Sequence, residues 1–312
     1  MKTIFIAFVA AVLMSTTVAG QSEKIITLKT ETGEIEGTLT IPDVKLPVPV
    51  ALIIAGSGPT DRNGNNQMMS NNSLKMLSEE LAKKGIASLR YDKRGIAASQ
   101  KAGIKEADLR FEMYIKDAAD WVQLLNKNKK FSEIVVVGHS EGSLIGMVAS
   151  QDQKVGKFVS IAGAGQAADK IIREQLKSQP PVVLEQTTPI LDELVKGNMV
   201  ENVPQMLFSL FRPSVQPYMI SWFKYDPQLE IAKLKKPSLI IQGTTDIQVS
   251  VEDAKRLQAA KPDAKMVLIE GMNHIFKNAE SDRMKNLLTY NQPELPLNSE
   301  LVEIIGSFIL AK

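Results

Sequence analysis

The chain has 312 residues, of which 44% are hydrophobic and 23% charged, ordinary proportions for a globular protein able to bury a large core. Its 37 basic and 35 acidic residues leave a formal charge of +2, too small a surplus to signal nucleic acid or an anionic membrane as a partner. There is no cysteine, which excludes disulfides, thiolate metal sites, a cysteine nucleophile and lipid anchoring through an amino-terminal cysteine.

Residues 1–20 stand apart from the rest. Lys2 precedes an apolar run over 4–14 and then small residues ending in Val18, Ala19 and Gly20, the pattern of a secretory leader cleaved near Ala19 or Gly20. The run is short for a membrane span, which takes about 20 apolar residues. The sequence therefore predicts an exported protein, periplasmic or secreted, with 21–312 as its folded part and no membrane anchor once the leader is gone.

Strands are expected at 24–30 and 34–41, joined by a turn at Thr32 and Gly33, with Ile35, Gly37, Leu39 and Ile41 on one face. They read as an antiparallel opening to a sheet. A more apolar strand at 48–55 runs into a loop rich in Gly, Asn and Pro, Gly56-Ser57-Gly58-Pro59-Thr60-Asp61-Arg62-Asn63-Gly64. Loops in that position tend to carry function. Leu74, Leu77 and Leu81 predict a helix over 73–84 that stops at Gly85. Next come a strand at 86–91, the segment Asp92-Lys93-Arg94-Gly95, and an amphipathic helix over 109–126.

The four β-branched residues at 134–137 predict a strand buried on both faces. Gly138-His139-Ser140-Glu141-Gly142 follows, and then Leu144, Ile145, Met147 and Val148 at helical spacing. A G-x-S-x-G motif is weak by itself. Between a buried strand and a helix it reads as a strained turn that presents a serine hydroxyl at the end of the sheet. A strand at 157–162 comes next, and strands at 238–243 and 265–270 enclose a helix over 251–260; a last helix spans 299–310. Over 166–236 no strand is expected, only helical pieces with several prolines. We read it as a helical insertion covering the site rather than a surface excursion. The alternation predicts one α/β domain with a mostly parallel sheet.

A serine hydroxyl needs a base to become a nucleophile, and an imidazole is the usual one. Only two histidines exist. His139 lies inside the elbow, where its side chain should point away from Ser140, which leaves His274, just after the last strand. The imidazole needs a carboxylate to fix its tautomer. Asp246, just beyond the strand at 238–243, is preferred to Asp253, Asp263 and Glu270, which belong to a helix start, a loop and a strand end.

In these parts and their order, serine, acid, histidine, the chain resembles the α/β-hydrolases from about Ile25 to its carboxyl terminus. Among them it looks closest to exported bacterial esterase-like and serine-aminopeptidase-like members. The resemblance implies an eight-stranded, mostly parallel sheet with a helical cap at about 166–236, after the sixth strand. Asp92-Lys93-Arg94-Gly95 is similar to the Asp-x-Arg-Gly segment of many members. The resemblance also implies an oxyanion hole of two backbone N–H groups, one from Glu141 and one from the loop at 56–64. Ser57 is chosen there, Gly58 is second, and Pro59 has no N–H. Many members carry His-Gly where this chain has Ala55-Gly56.

The expected chemistry is attack by Ser140 on a carboxylic ester with His274 as base and Asp246 as its acid, through an acyl-enzyme, with no metal and no organic cofactor. The partner is then a small-molecule or short-peptide acyl substrate. A peptidase or thioesterase would use the same triad, and a non-catalytic binding protein on this fold would not need it. Asp92 with Arg94 reads as a loop-holding ion pair or as a substrate contact, and Asp61 and Arg62 either recognise a charged end of a substrate or order the first loop. The Glu141 side chain is expected to reach solvent or a cation, since an unpaired carboxylate beside an oxyanion would oppose catalysis. Met206, Phe208, Phe211, Trp222 and Phe223 are candidates for an acyl pocket or for cap core.

Overall fold

The computed structural model describes residues 16–18, 20–177 and 179–311, so the apolar run of the expected leader lies outside the described residues. The strands are β1 (Thr16–Val18), β2 (Gln21–Thr30), β3 (Gly33–Pro42), β4 (Val48–Ile54), β5 (Ala87–Tyr91), β6 (Phe131–His139), β7 (Val155–Ile161), β8 (Ser238–Gly243) and β9 (Lys265–Ile269). They form one sheet in the order β1-β2-β3-β5-β4-β6-β7-β8-β9. The β1/β2, β2/β3 and β3/β5 pairs are antiparallel, and every later pair is parallel. The eight expected strands are thus all present, with a short edge strand, β1, added before them.

Helices α1 (Ser73–Lys83), α2 (Phe111–Asn126) and α3 (Glu141–Ala149) alternate with the strands. Five more lie between β7 and β8: α4 (Ala168–Leu176), α5 (Pro181–Val195), α6 (Phe208–Phe211), α7 (Gln216–Trp222) and α8 (Pro227–Ala232). The chain closes with α9 (Val251–Ala260), α10 (Arg283–Leu288) and α11 (Ser299–Leu310). No helix among the described residues is long and apolar enough to cross a membrane.

Because side chains alternate across a strand, the central strands feed two cores. Val50, Leu52 and Ile54 of β4 and Val136 of β6 pack with Trp121, Ile145 and Leu257 on the face covered by α2, α3 and α9. Ala51, Ile53, Val135 and Val137 pack with Leu77, Leu81, Leu301 and Ile305 of α1 and α11 on the other. A third, smaller core of Ile190, Leu191, Leu194, Leu207, Phe211 and Met219 belongs to the helices between β7 and β8. One boundary moved. Helix α2 starts at Phe111 rather than at 109, because Arg110 is extended and Ser221 Oγ of α7 accepts the Phe111 N–H at 2.8 Å, taking one of the donors that a helix start leaves open.

Candidate active site

Ser140 sits between β6 and α3 with φ 55° and ψ −122°, a strained left-handed conformation for a residue with a side chain. The neighbouring glycines explain how the turn survives. A Cβ at Gly138 would run into the Gly142 carbonyl, and one at Gly142 would run into the Ile54 carbonyl of β4. Across the turn, a Cβ at Gly56 would stand 3.1 Å from the Ser140 Cβ, so the loop after β4 approaches the serine as closely as a glycine permits.

Asp246 follows β8 and His274 follows β9. His274 Nδ1 lies 2.8 Å from Asp246 Oδ2, both side chains being buried. Gln242 Nε2 also donates to Oδ2, at 3.0 Å, while Oδ1 accepts the N–H groups of Gln248 at 2.7 Å and Val249 at 3.0 Å. Burial pushes this carboxyl upward, but the His274 charge and hydrogen bond and the two backbone donors outweigh it and hold Asp246 below the usual carboxylate range. Asp246 is thus an anion that fixes a proton on Nδ1 and leaves Nε2 free to accept one. His274 and Ser140 line the same cavity, about 60 Å³, together with Ser57 and Thr60. His139 also lines this cavity, packed against the His274 ring, and its Nε2 meets the His274 carbonyl at 2.9 Å. Burial, and then the neighbouring His274, lower its pKa to about 3.

Ser57 lines both cavities that adjoin Ser140, whereas Gly58 lines neither. Gly58 instead supplies a turn, with φ 71°. Glu141 is the first residue of α3, so its N–H begins a helix and has no acceptor one turn back within it. Its side chain corrects the solvent-facing alternative, for it is 7% exposed. Glu141 Oε2 lies 3.2 Å from Lys93 Nζ, and Oε1 accepts the Tyr218 hydroxyl of α7 at 2.6 Å. Sequence reasoning missed Lys93 and Tyr218. The one local hint was the basic residue inside Asp92-Lys93-Arg94-Gly95.

A family model described as "Serine aminopeptidase, S33" matches residues 69–228, about half of the chain, a range that holds the serine elbow and helices α4 to α7. The chain belongs to this α/β-hydrolase family. It is 27% identical over 253 residues to Esterase EstD of Thermotoga maritima, an alignment that takes in 79% of this chain but only 59% of that longer esterase. Among solved structures it is similar to Est1E from Butyrivibrio proteoclasticus, with 17% identity and a TM-score of 0.60 over 92% of this chain and 99% of that one. The esterase domain of a Rhodothermus marinus protein gives 18% identity and a TM-score of 0.55, covering 92% of this chain and 97% of that one. At such identities these structures show a shared fold.

In this member of the family a second cavity, about 120 Å³, lies between Ser140 and the helices that follow β7, and Leu144, Ile171, Ile172, Trp222 and Val249 give it an apolar wall. Among the described residues Glu141 is its only carboxylate. It adjoins an open groove of about 490 Å³ that carries Gln248, Asp246 and Arg283, the two sharing Ile171, Gln175, Gln248 and Val249. Of the five apolar candidates between β7 and β8, only Trp222 reaches the site. Phe211 is core, Phe223 packs on it, and Met206 and Phe208 are 54% and 43% exposed.

The charged pairs of the loops hold structure. Asp92 accepts from the Arg62 guanidinium at 2.7 Å, and Arg62 also reaches Glu36 at 2.5 Å. Arg94 pairs with Asp117 of α2 at 2.5 Å, not with Asp92. Asp61 turns the first loop by accepting the N–H groups of Asn63 and Asn65 at 2.8 and 2.9 Å. Among the described residues, no three histidine or carboxylate side chains are grouped to hold a metal ion.

Proposed function

We propose that this hydrolase cleaves carboxylic esters through an acyl-enzyme. The observation that carries the reading is the buried Asp246–His274 hydrogen bond, 2.8 Å long, beside a cavity that His274 shares with a serine held at positive φ. Ser140 Oγ attacks the acyl carbonyl and its proton passes to His274 Nε2, while Asp246 holds the imidazole in the accepting tautomer and stabilises the imidazolium. The oxyanion takes the N–H groups of Glu141 and Ser57. His274 then protonates the leaving alcohol, and a water deprotonated by His274 releases the acid.

Two observations favour an ester over the peptide substrate that the family description suggests. The related Thermotoga protein is named an esterase. An aminopeptidase also needs a free carboxylate for the substrate α-ammonium. Among the described residues the carboxylate in the cavity beside Ser140, Glu141, already serves Lys93 and Tyr218, and in the adjoining groove Glu174 accepts from Lys177 and Asp253 from Ser250 and Gly165. The apolar wall of that cavity suits a short or aromatic acyl group.

The test is a panel of chromogenic esters with short to long acyl chains, plus an aminoacyl amide, given to the wild type and to Ser140→Ala. We expect ester turnover that falls roughly 10³-fold or more in the variant, and little or no cleavage of the amide. Equal rates in the two proteins would remove Ser140 as nucleophile.

A further inference from the structure

The ammonium of Lys93 is buried between the two segments that carry the proposed oxyanion donors. The residue follows β5, is 2% exposed, and its Nζ lies 2.6 Å from the Gly56 carbonyl oxygen and 3.2 Å from Glu141 Oε2. Its third face looks onto the Tyr114 ring of α2, 5.1 Å from the ring centre. Three N–H donors therefore meet two oxygens and one aromatic face, which satisfies a lysine without water.

The Gly56 contact matters because of what lies at the other end of that peptide. The Gly56 C=O and the Ser57 N–H belong to one planar group, and the bond between them is trans. In a trans peptide the two bonds point in opposite directions. An ammonium that fixes the carbonyl thereby fixes the direction of the Ser57 N–H, and by drawing electron density toward the oxygen it makes that N–H a stronger donor. The same ammonium holds the side chain of Glu141, whose N–H is the other donor, and neutralises a carboxylate that would otherwise repel an oxyanion nearby. Tyr218 closes the arrangement from α7. Burial, and then the Glu141 charge, push its phenol well above its usual range, so it keeps its proton and donates it to Oε1.

We propose that Lys93 is a positioning residue of the oxyanion hole, holding the Gly56–Ser57 peptide and Glu141 in one register. The inference rests on the esterase reading above. It predicts that Lys93 acts on transition-state binding while ground-state binding stays nearly as it was.

The experiment compares the wild type with Lys93→Met/Glu141→Gln, which removes both buried charges together, and with Lys93→Met, which strands the carboxylate. Two quantities are read: kcat and KM on the best ester of the panel, and the inhibition constant of a trifluoromethyl ketone of the same acyl part. The hydroxyl of Ser140 adds to that ketone, its proton going to His274, and the adduct places an alkoxide in the oxyanion hole. Losing one oxyanion donor outright costs roughly 10²–10³-fold in kcat. A donor left in place but no longer held should cost roughly 10–100-fold, with KM within about threefold and ketone affinity weakened in parallel. Lys93→Met alone should lose more than the double variant.

If the double variant keeps the wild-type kcat and ketone affinity, or raises KM while leaving both unchanged, the inference is overturned. Should it fail to fold, Lys93→Arg serves. It keeps the charge but not both hydrogen-bond lengths, and an unchanged kcat and ketone affinity there overturns the inference equally. A wild type no faster than Ser140→Ala is a different result, since it sinks the esterase reading itself and the inference with it.

Discussion

At Asp246 each oxygen of the carboxylate has its own partners, and the division is sharp enough to forecast a substitution. Oδ1 accepts two backbone N–H groups, and an amide NH2 cannot take that place. In Asp246→Asn the carbonyl oxygen must therefore stay at Oδ1, which turns the NH2 toward His274 Nδ1 and Gln242 Nε2. Nδ1 must then accept, the ring proton moves to Nε2, and the base can no longer take a proton from Ser140. We expect kcat to fall roughly 10²–10⁴-fold with KM little changed and the fold retained, which steady-state kinetics and circular dichroism would check together. Undiminished kcat would mean that another group orients His274.

Why Ser140, Asp246 and His274 could be singled out in the sequence, and Lys93 and Tyr218 could not, is also a matter of residues. Each member of the first set follows a strand, and strands announce themselves through runs such as Ile134 to Val137. The partners of Lys93 lie 37 and 48 residues away, and Tyr218 stands 77 residues from Glu141, with no periodicity linking them. The Glu141 side chain was legible only as a problem, an acid where an acid is unwelcome, and its answer came from tertiary structure.

At the scale of elements, hydrophobic runs and glycine stops gave α1, α9, α11 and the parallel strands other than β6 to within a residue or two, while β6 starts three residues before its β-branched run. Helix α2 began later than its pattern because a side chain from α7, more than a hundred positions on, supplies its first acceptor. The stretch between β7 and β8 was legible as helical but not in its packing. Its apolar residues serve two cores, a surface and the cavity wall, and of the five singled out only Trp222 lines the cavity beside Ser140. Composition cannot separate these roles, because each calls for the same side chains. Residue Tyr218 and Trp222 share α7, so one helix both walls the cavity and reaches Glu141.

For the whole molecule the informative group is His139, packed against the rings of His274 and Phe276 at 4.7 Å each. Its folded pKa, about 3, lies below the ordinary 6.5, so from pH 6.5 down to about 3 the unfolded chain binds the extra proton. Stability should therefore fall as pH drops through that window, and be fully present above it. Asp246 has a depressed folded pKa. Its contribution is present above its ordinary value of 3.8 and lost as pH falls through the folded one, so it adds to the loss only at the acid end. Between about pH 5 and 6.5, above the ordinary carboxylate values, the decline belongs to His139. Thermal melts across that range should show a shallower slope for His139→Gln than for the wild type, and equal slopes would contradict the assignment.

Whether His274 makes Ser140 a nucleophile is read out by labelling with a fluorophosphonate followed by intact-mass measurement and peptide mapping. Attack by Ser140 Oγ expels fluoride while His274 takes the proton, leaving one phosphonyl group on the chain. A single adduct is expected on the peptide containing Ser140, abolished in Ser140→Ala and formed far more slowly in His274→Ala. An adduct on any other residue, or equal labelling in wild type and His274→Ala, would contradict it.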